Sequence, residues 1–174
     1  GRTRPPDDFF AQIPLLHELL DSFGWPLIEM DNYEADDIIG TLSKKAENKG
    51  YTTYIMTSDK DFGQLVSENI LIYRPGRFGE KADVLGVKEI CERFSIQRTE
   101  QVIDILGLWG DSSDNIPGIP GVGEVTAKKL LAEFDTIENL LANTDKIKNP
   151  KLKSKVIEFA DQALFSKKLA TIIL

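Results

Sequence analysis

The sequence predicts an α/β fold, a mostly parallel sheet flanked by helices and followed by a region built of helices alone. Three observations carry this. Short runs rich in β-branched and aromatic residues alternate with amphipathic stretches up to about residue 85. Beyond it the apolar spacing is helical throughout. Gly24 and Gly50 close the first two helical patterns, and Pro75–Gly79 marks the change of grammar.

Taken in order, Phe9, Ile13, Leu16, Leu19, Leu20 and Phe23 recur at helical spacing from Asp8, and Gly24 stops them. Pro26–Met30 is an apolar run of strand length and is predicted as a buried strand. Asp31 and Asn32 are candidate N-caps for a helix through about Lys49. Tyr51–Thr57 reads as a strand, Phe62–Val66 as a short helix and Ile70–Arg74 as a further strand. That order is β-α-β-α-β, the pattern of a parallel sheet. Helices are then predicted over Val87–Phe94, Glu100–Trp109, Val125–Phe134, Ile137–Ala142 and about Lys151–Leu174. A boundary near residue 85 divides a sheet region, 1–85, from a helical one, 86–174. Trp25 and Trp109 are expected in the core.

With 174 residues, 41% of them hydrophobic, the chain has enough apolar material for a core. No run approaches the roughly 20 apolar residues of a membrane span, and GRTRPPDDFF lacks the apolar centre of a signal peptide. A cytoplasmic protein is expected. The single cysteine, Cys91, excludes an intramolecular disulfide and a thiolate-rich metal site, so a bound metal would be held by oxygen and favour Mg2+ or Mn2+. The net charge of −7, from 28 acidic and 21 basic side chains, disfavours a polyanionic partner unless many of the acids gather in one place.

Several acids are spaced to do that. Glu34, Asp36 and Asp37 open the helix after the first predicted strand, with Glu34 and Asp37 on one face and Asp36 pointing elsewhere. Taken alone they are equally well read as solvated residues that suit a helix N-terminus. Asp59 and Asp61 follow the second strand, however, and in an open parallel sheet ligands bind beyond the C-terminal strand ends. Asp111 and Asp114 add a third pair after an apolar helix. Each close pair of carboxylates costs about 1 kcal/mol in water and several times that at lower dielectric, so seven together call for cations. Two divalent ions would offset the repulsion and suit a phosphodiester substrate.

Immediately after Asp114 the run Gly118-Ile119-Pro120-Gly121-Val122-Gly123 opens into a basic helix. The glycines permit a tight turn; Val125, Leu130 and Leu131 are expected to pack inward; Thr126, Lys128 and Lys129 would face a phosphate backbone. His17 reads as a surface or boundary residue and Cys91 as a helix residue without thiol chemistry. The lysines of Lys146–Lys155 are as readily a solvated loop as a DNA contact, and Arg74 and Arg77 are equally open.

EADD, TSDKD and GDSSDNIPGIPGVGEVTAKKLL together closely resemble the 5′-nuclease domains of bacterial DNA polymerase I, within the flap-endonuclease superfamily. The resemblance runs over essentially the whole chain. It implies a helical DNA-binding region in which the hairpin after Asp114 is a helix-three-turn-helix element gripping duplex DNA, with K+ held at the turn in several members. By matching position, Glu34, Asp36 and Asp37 belong to a first metal, and Asp59, Asp61, Asp111 and Asp114 to a second. Gly118, Gly121, Gly123, Thr126, Lys128 and Lys129 are the implied DNA contacts, and Arg2 matches the last basic position of an arch.

The implied activity is Mg2+- or Mn2+-dependent hydrolysis of DNA phosphodiesters at 5′ ends or flaps, by a monomer fused in some proteins to a polymerase. Family members begin with two aspartate-bearing strands and a basic arch that do not precede Gly1, so about the first third of the domain is expected to be missing. A chain that only binds duplex DNA is the alternative. A third reading takes Asp59 and Asp61 as the pair of an aspartate-nucleophile phosphatase.

Overall fold

The computed structural model describes residues 4–76 and 81–174. Arg2 and Arg77 lie outside the described residues. Among the described residues three β-strands form a sheet in the order β1-β2-β3, where β1 is Thr53–Met56, β2 is Ile70–Arg74 and β3 is Asp83–Leu85. β1 and β2 are parallel, with Ile55 opposite Ile72; β2 and β3 are antiparallel, and Arg74 pairs with Asp83 across them at 3.0 Å. The β3 strand was not expected from sequence. Three residues are too few to show a period.

Among the described residues eight α-helices accompany the sheet: α1 Asp7–Ser22, α2 Ala35–Glu47, α3 Val87–Phe94, α4 Val102–Trp109, α5 Glu124–Phe134, α6 Ile137–Ala142, α7 Pro150–Glu158 and α8 Ala160–Ala170. The predicted helix at Phe62–Val66 is a 3-10 turn over Asp61–Leu65, and the predicted C-terminal helix is divided into α7 and α8 near Phe159. Ile55, Ile70 and Ile72 from the sheet join Ile105, Leu106, Leu130, Leu131, Ile137 and Val156 from the helices in one continuous core. The most deeply placed helix is α4, packed between α5 and α8 with Val102, Ile105, Leu106 and Leu108 fully enclosed.

Two expectations about the first 30 residues fail. Pro26–Met30 is neither a strand nor buried, because none of the described residues lies beside it as a partner strand, and an apolar run without a partner has no ladder to join. Trp25 is 65% exposed instead of being in the core, and α1 buries no residue. Trp109 does pack against the core, beside Phe94.

Candidate metal centre and nucleic-acid interface

Each carboxylate is delivered by the end of an element. Glu34 is the N-cap of α2, and its backbone N–H donates to Asp37 Oδ2 at 3.3 Å in a reciprocal capping box. Beyond β1, Asp59 N–H donates to Thr57 Oγ1 and Asp61 N–H donates to Asp59 Oδ1, both at 3.0 Å, which fixes the turn. After α4, Asp111 and Ile116 exchange backbone hydrogen bonds at 2.8 Å and close a six-residue loop. Ser113 N–H donates to Asp111 Oδ1 within that loop.

These ends converge. Glu34, Asp36, Asp37, Asp59, Asp61 and Asp114 line a cleft of about 520 Å³, together with the end of α8 and the chain just after it. Asp36, expected to point away from Glu34 and Asp37, lines the same cleft. Asp61, Asp111 and Asp114 each place a carboxylate oxygen within 4.8 Å of the other two. All seven predicted carboxylates therefore belong to one neighbourhood.

The electrostatics are those of a cluster short of positive charge. Burial, then the nearby Asp59, Asp111 and Asp114, push Asp61 up to about 7. Asp36 is raised by burial first and then by Asp59, Glu34, Asp37 and Asp114. Burial works against ionising Asp111, yet the Lys60 ammonium and Ser113 outweigh it and hold that carboxyl below its ordinary value. Lys60 Nζ lies 2.6 Å from Asp111 Oδ2. Among the described residues Asp61 Oδ1 is buried with no hydrogen-bond donor, an orphan that a cation would satisfy. Oxygen donors alone, one of them orphaned, fit a hard divalent ion.

Sequence reading missed two cations here. Lys60 stands between Asp59 and Asp61 and was visible within the motif. Arg93, at the end of α3, shares a recess with Asp59, Lys60, Asp111 and Asp114, and no local pattern marks it.

The hairpin follows directly. Ile119 N–H donates to Leu108 O at 2.8 Å, and Gly118 N–H donates to Ser166 Oγ at 3.1 Å, so the turn is anchored on α4 and α8. Its glycines are not equivalent. Gly118 has φ +60°, and a Cβ there would lie 2.3 Å from Gly110 N; Gly123 is extended, with open space beside it. In α5, Leu130 and Leu131 are buried but Val125 is 68% exposed, contrary to expectation, because the first turn of the helix stands proud of the core. Thr126 is half-buried and Lys129 exposed. Lys128 turns back to Glu124 at 2.6 Å and donates to the Arg93 carbonyl at 3.3 Å.

A family profile described as 5′-3′ exonuclease, N-terminal resolvase-like domain, matches residues 1–95, and one described as 5′-3′ exonuclease, C-terminal SAM fold, matches residues 97–174. The chain belongs to the 5′-3′ exonuclease family. It is 44% identical over 173 residues to DNA polymerase I of Bacillus subtilis, covering 99% of this chain and 20% of that one. The chain thus spans about a fifth of the length of such curated relatives.

Among solved structures, a mutant T5 5′-exonuclease superposes with a TM-score of 0.80 at 18% identity, covering 93% of this chain and 64% of that one. A bacteriophage T5 flap endonuclease in a pseudo-enzyme–product complex with DNA and metal ions gives 0.79 at 18% identity, covering 94% and 58%. At those identities the likeness establishes the 5′-exonuclease fold, a small sheet with a helical C-terminal half. Among the described residues, no helix is long and apolar enough to cross a membrane.

Proposed function

We propose that this chain is the metal-dependent nuclease part of a larger DNA-processing protein, hydrolysing DNA phosphodiesters at 5′ ends or flaps during primer removal and repair. One observation carries the reading. The loop Asp111–Ile116, which completes the acidic cluster, runs without interruption into the Gly118–Gly123 turn, so one polyanion would meet both. Glu34, Asp36 and Asp37 would hold one divalent ion, and Asp59, Asp61, Asp111 and Asp114 a second, with Mg2+ or Mn2+ the natural occupants. When bound, such ions neutralise the scissile phosphate and lower the pKa of water, so no side-chain base is needed. The protein's own residues hold the ions, anchor the duplex through the hairpin and keep Arg93 and Lys60 beside the acids.

The sheet region and the helical region, divided near residue 85, would then share the work between chemistry and grip. A monomer suffices for such a substrate, in the bacterial cytoplasm, and the length and name of the relatives support a polymerase elsewhere in the protein. The phosphatase reading loses ground because Asp59 and Asp61 share their cleft with four more carboxylates, Glu34, Asp36, Asp37 and Asp114, and the adjacent Lys60 is paired with Asp111.

The test is cleavage of 5′-flap DNA by the 174-residue chain with Mg2+ or Mn2+, beside D114N and D59N. Cleavage that either variant abolishes while duplex binding persists supports the reading; undiminished cleavage removes the metal assignment. The Lys60–Asp111 ion pair favours a second reading, in which an internal ammonium occupies part of the second site and the chain holds duplex without cutting it. Binding without metal-dependent cleavage would select it.

A further inference from the structure

Lys60 stands on the Asp111 oxygen that is left for a metal. Asp111 is buried, and its Oδ1 already accepts from the backbone N–H and the hydroxyl of Ser113. That leaves Oδ2. The Lys60 ammonium lies 2.6 Å from it but outside hydrogen-bonding angles, so among the described residues Oδ2 is compensated by a neighbouring charge and by no hydrogen bond.

Two cations cannot share that place. A divalent ion binds a carboxylate oxygen at about 2.0–2.6 Å, so an ion on Oδ2 would stand within a few ångströms of the ammonium. A double and a single positive charge repel twice as strongly as two single ones at the same separation. One of them has to leave.

The surroundings make Lys60 the one that moves. Backbone hydrogen bonds pin the Asp59–Asp61 turn, whereas the Lys60 side chain is 29% exposed. It lines two recesses at once. One, of about 270 Å³, it shares with Ser58, Arg93 and Ser113; the other, open and of about 700 Å³, runs past Trp109 and Gly110 to Glu124. An ammonium released from Asp111 thus has space and solvent to turn into while the backbone stays in place. Asp111 has no such freedom, because its backbone is locked to Ile116 and its Oδ1 to Ser113.

We propose that Lys60 is a displaceable counter-ion: in the metal-free protein its ammonium neutralises Asp111, and a divalent ion binds at Asp61, Asp111 and Asp114 by driving it off. The lysine inside the Asp59–Asp61 motif therefore lowers the affinity of the second ion while holding the metal-free cluster together. The inference rests on the metal-dependent reading above. It differs from a permanent internal ammonium in that Lys60 and the ion exclude each other.

The experiment is Mn2+ binding by the 174-residue chain, with free Mn2+ read by electron paramagnetic resonance, for the wild type, K60Q, K60R, R93Q and D61N. K60Q should bind the second-site ion at least about tenfold more tightly, the worth of a contact to a charged group that the wild type has to give up. K60R keeps the charge and should bind no more tightly than the wild type. R93Q removes a charge from the same recess, but one whose guanidinium lies over the Phe94 ring, and should change the affinity far less than K60Q does. D61N lacks an ion ligand and should bind more weakly.

Urea unfolding supplies a second readout. In chelator K60Q should unfold at a lower midpoint than the wild type, because Asp111 has lost its counter-ion, and saturating Mn2+ should close much of that gap. A lysine with a purely structural role would leave the same gap under both conditions. Equal Mn2+ affinity in K60Q and the wild type, or a gain in K60R or R93Q as large as that in K60Q, would overturn the inference alone. Mn2+ binding that D61N leaves unchanged would overturn the metal reading of the cluster and this inference with it.

Discussion

The backbone N–H of Ile173 donates to Asp37 Oδ1 at 2.9 Å, tying an acid at the start of α2 to a residue 136 positions further along the chain. The tie is set up by Gln64. Its amide donates to Asp61 O and Ala170 O and its carbonyl accepts from Ile172 N–H, each at 2.9 Å. One side chain thus links the 3-10 turn that carries Asp61 to the segment that orients Asp37. Gln64→Ala should cost about 1–3 kcal/mol, since it strands backbone groups in a half-buried place. Urea denaturation measures that cost. Amide exchange at Ile172 and Ile173 should quicken in the same variant, and unaltered exchange there would rule out the link.

Lys167 joins the helices behind the hairpin. Its ammonium lies 2.7 Å from the buried Asp104 Oδ1, which also accepts from Ile137 N–H at 2.9 Å, and 2.8 Å from the more exposed Glu138. Burial opposes the charge on Lys167, but the two carboxylates outweigh it and raise the ammonium's pKa. Lys167→Met leaves Asp104 buried with its charge uncompensated and should cost about 3–5 kcal/mol in denaturant unfolding. Glu138→Gln removes only the exposed partner and should cost less than about 1 kcal/mol. Equal effects from the two would contradict this division.

The turn glycines should separate by conformation. Gly118→Ala forces a left-handed residue against the Gly110 backbone and is expected to lower stability by more than about 2 kcal/mol. At Gly123, already extended and open, Ala should change stability by less than about 1 kcal/mol. Thermal melts of both variants test this, and a tolerated Gly118→Ala would mean the turn adopts another path.

Much of the site was legible because its residues cluster in sequence at element ends. EADD opens α2, and Asp59 and Asp61 follow β1, so reading acids at element ends brought them together even though the strand expected before EADD does not form. What was illegible depends on distance along the chain or on missing neighbours. Nothing in Gln64 announces Ile172, and nothing in Arg93 announces Asp111. Pro26–Met30 has the composition of a strand, but a strand also needs a partner, which composition does not encode. Val125 failed for a related reason: helical spacing gives the apolar stripe of α5, whereas the depth of each turn depends on what packs above it.

Asp61 should make the metal-free protein more stable as pH falls. Its folded pKa of about 7 lies above the ordinary carboxylate value of 3.8, so the folded state holds this proton more tightly than the unfolded state does. The contribution is complete below the unfolded value and is lost as pH rises through about 7. Between pH 5.5 and 7.5 the loss amounts to about 2 kcal/mol relative to Asp61→Asn, which cannot titrate. A divalent ion supplies the compensating positive charge that the proton otherwise provides. Saturating Mg2+ should therefore stabilise the wild type more at pH 7.5 than at pH 5.5 and largely remove the slope. Unfolding free energies of both proteins at the two pH values, with Mg2+ and with chelator, check this. A wild-type slope identical to that of Asp61→Asn in chelator would show that Asp61 ionises freely, and the acidic cluster would then lack the stored demand for a cation that Asp61 Oδ1, buried and without a donor, implies.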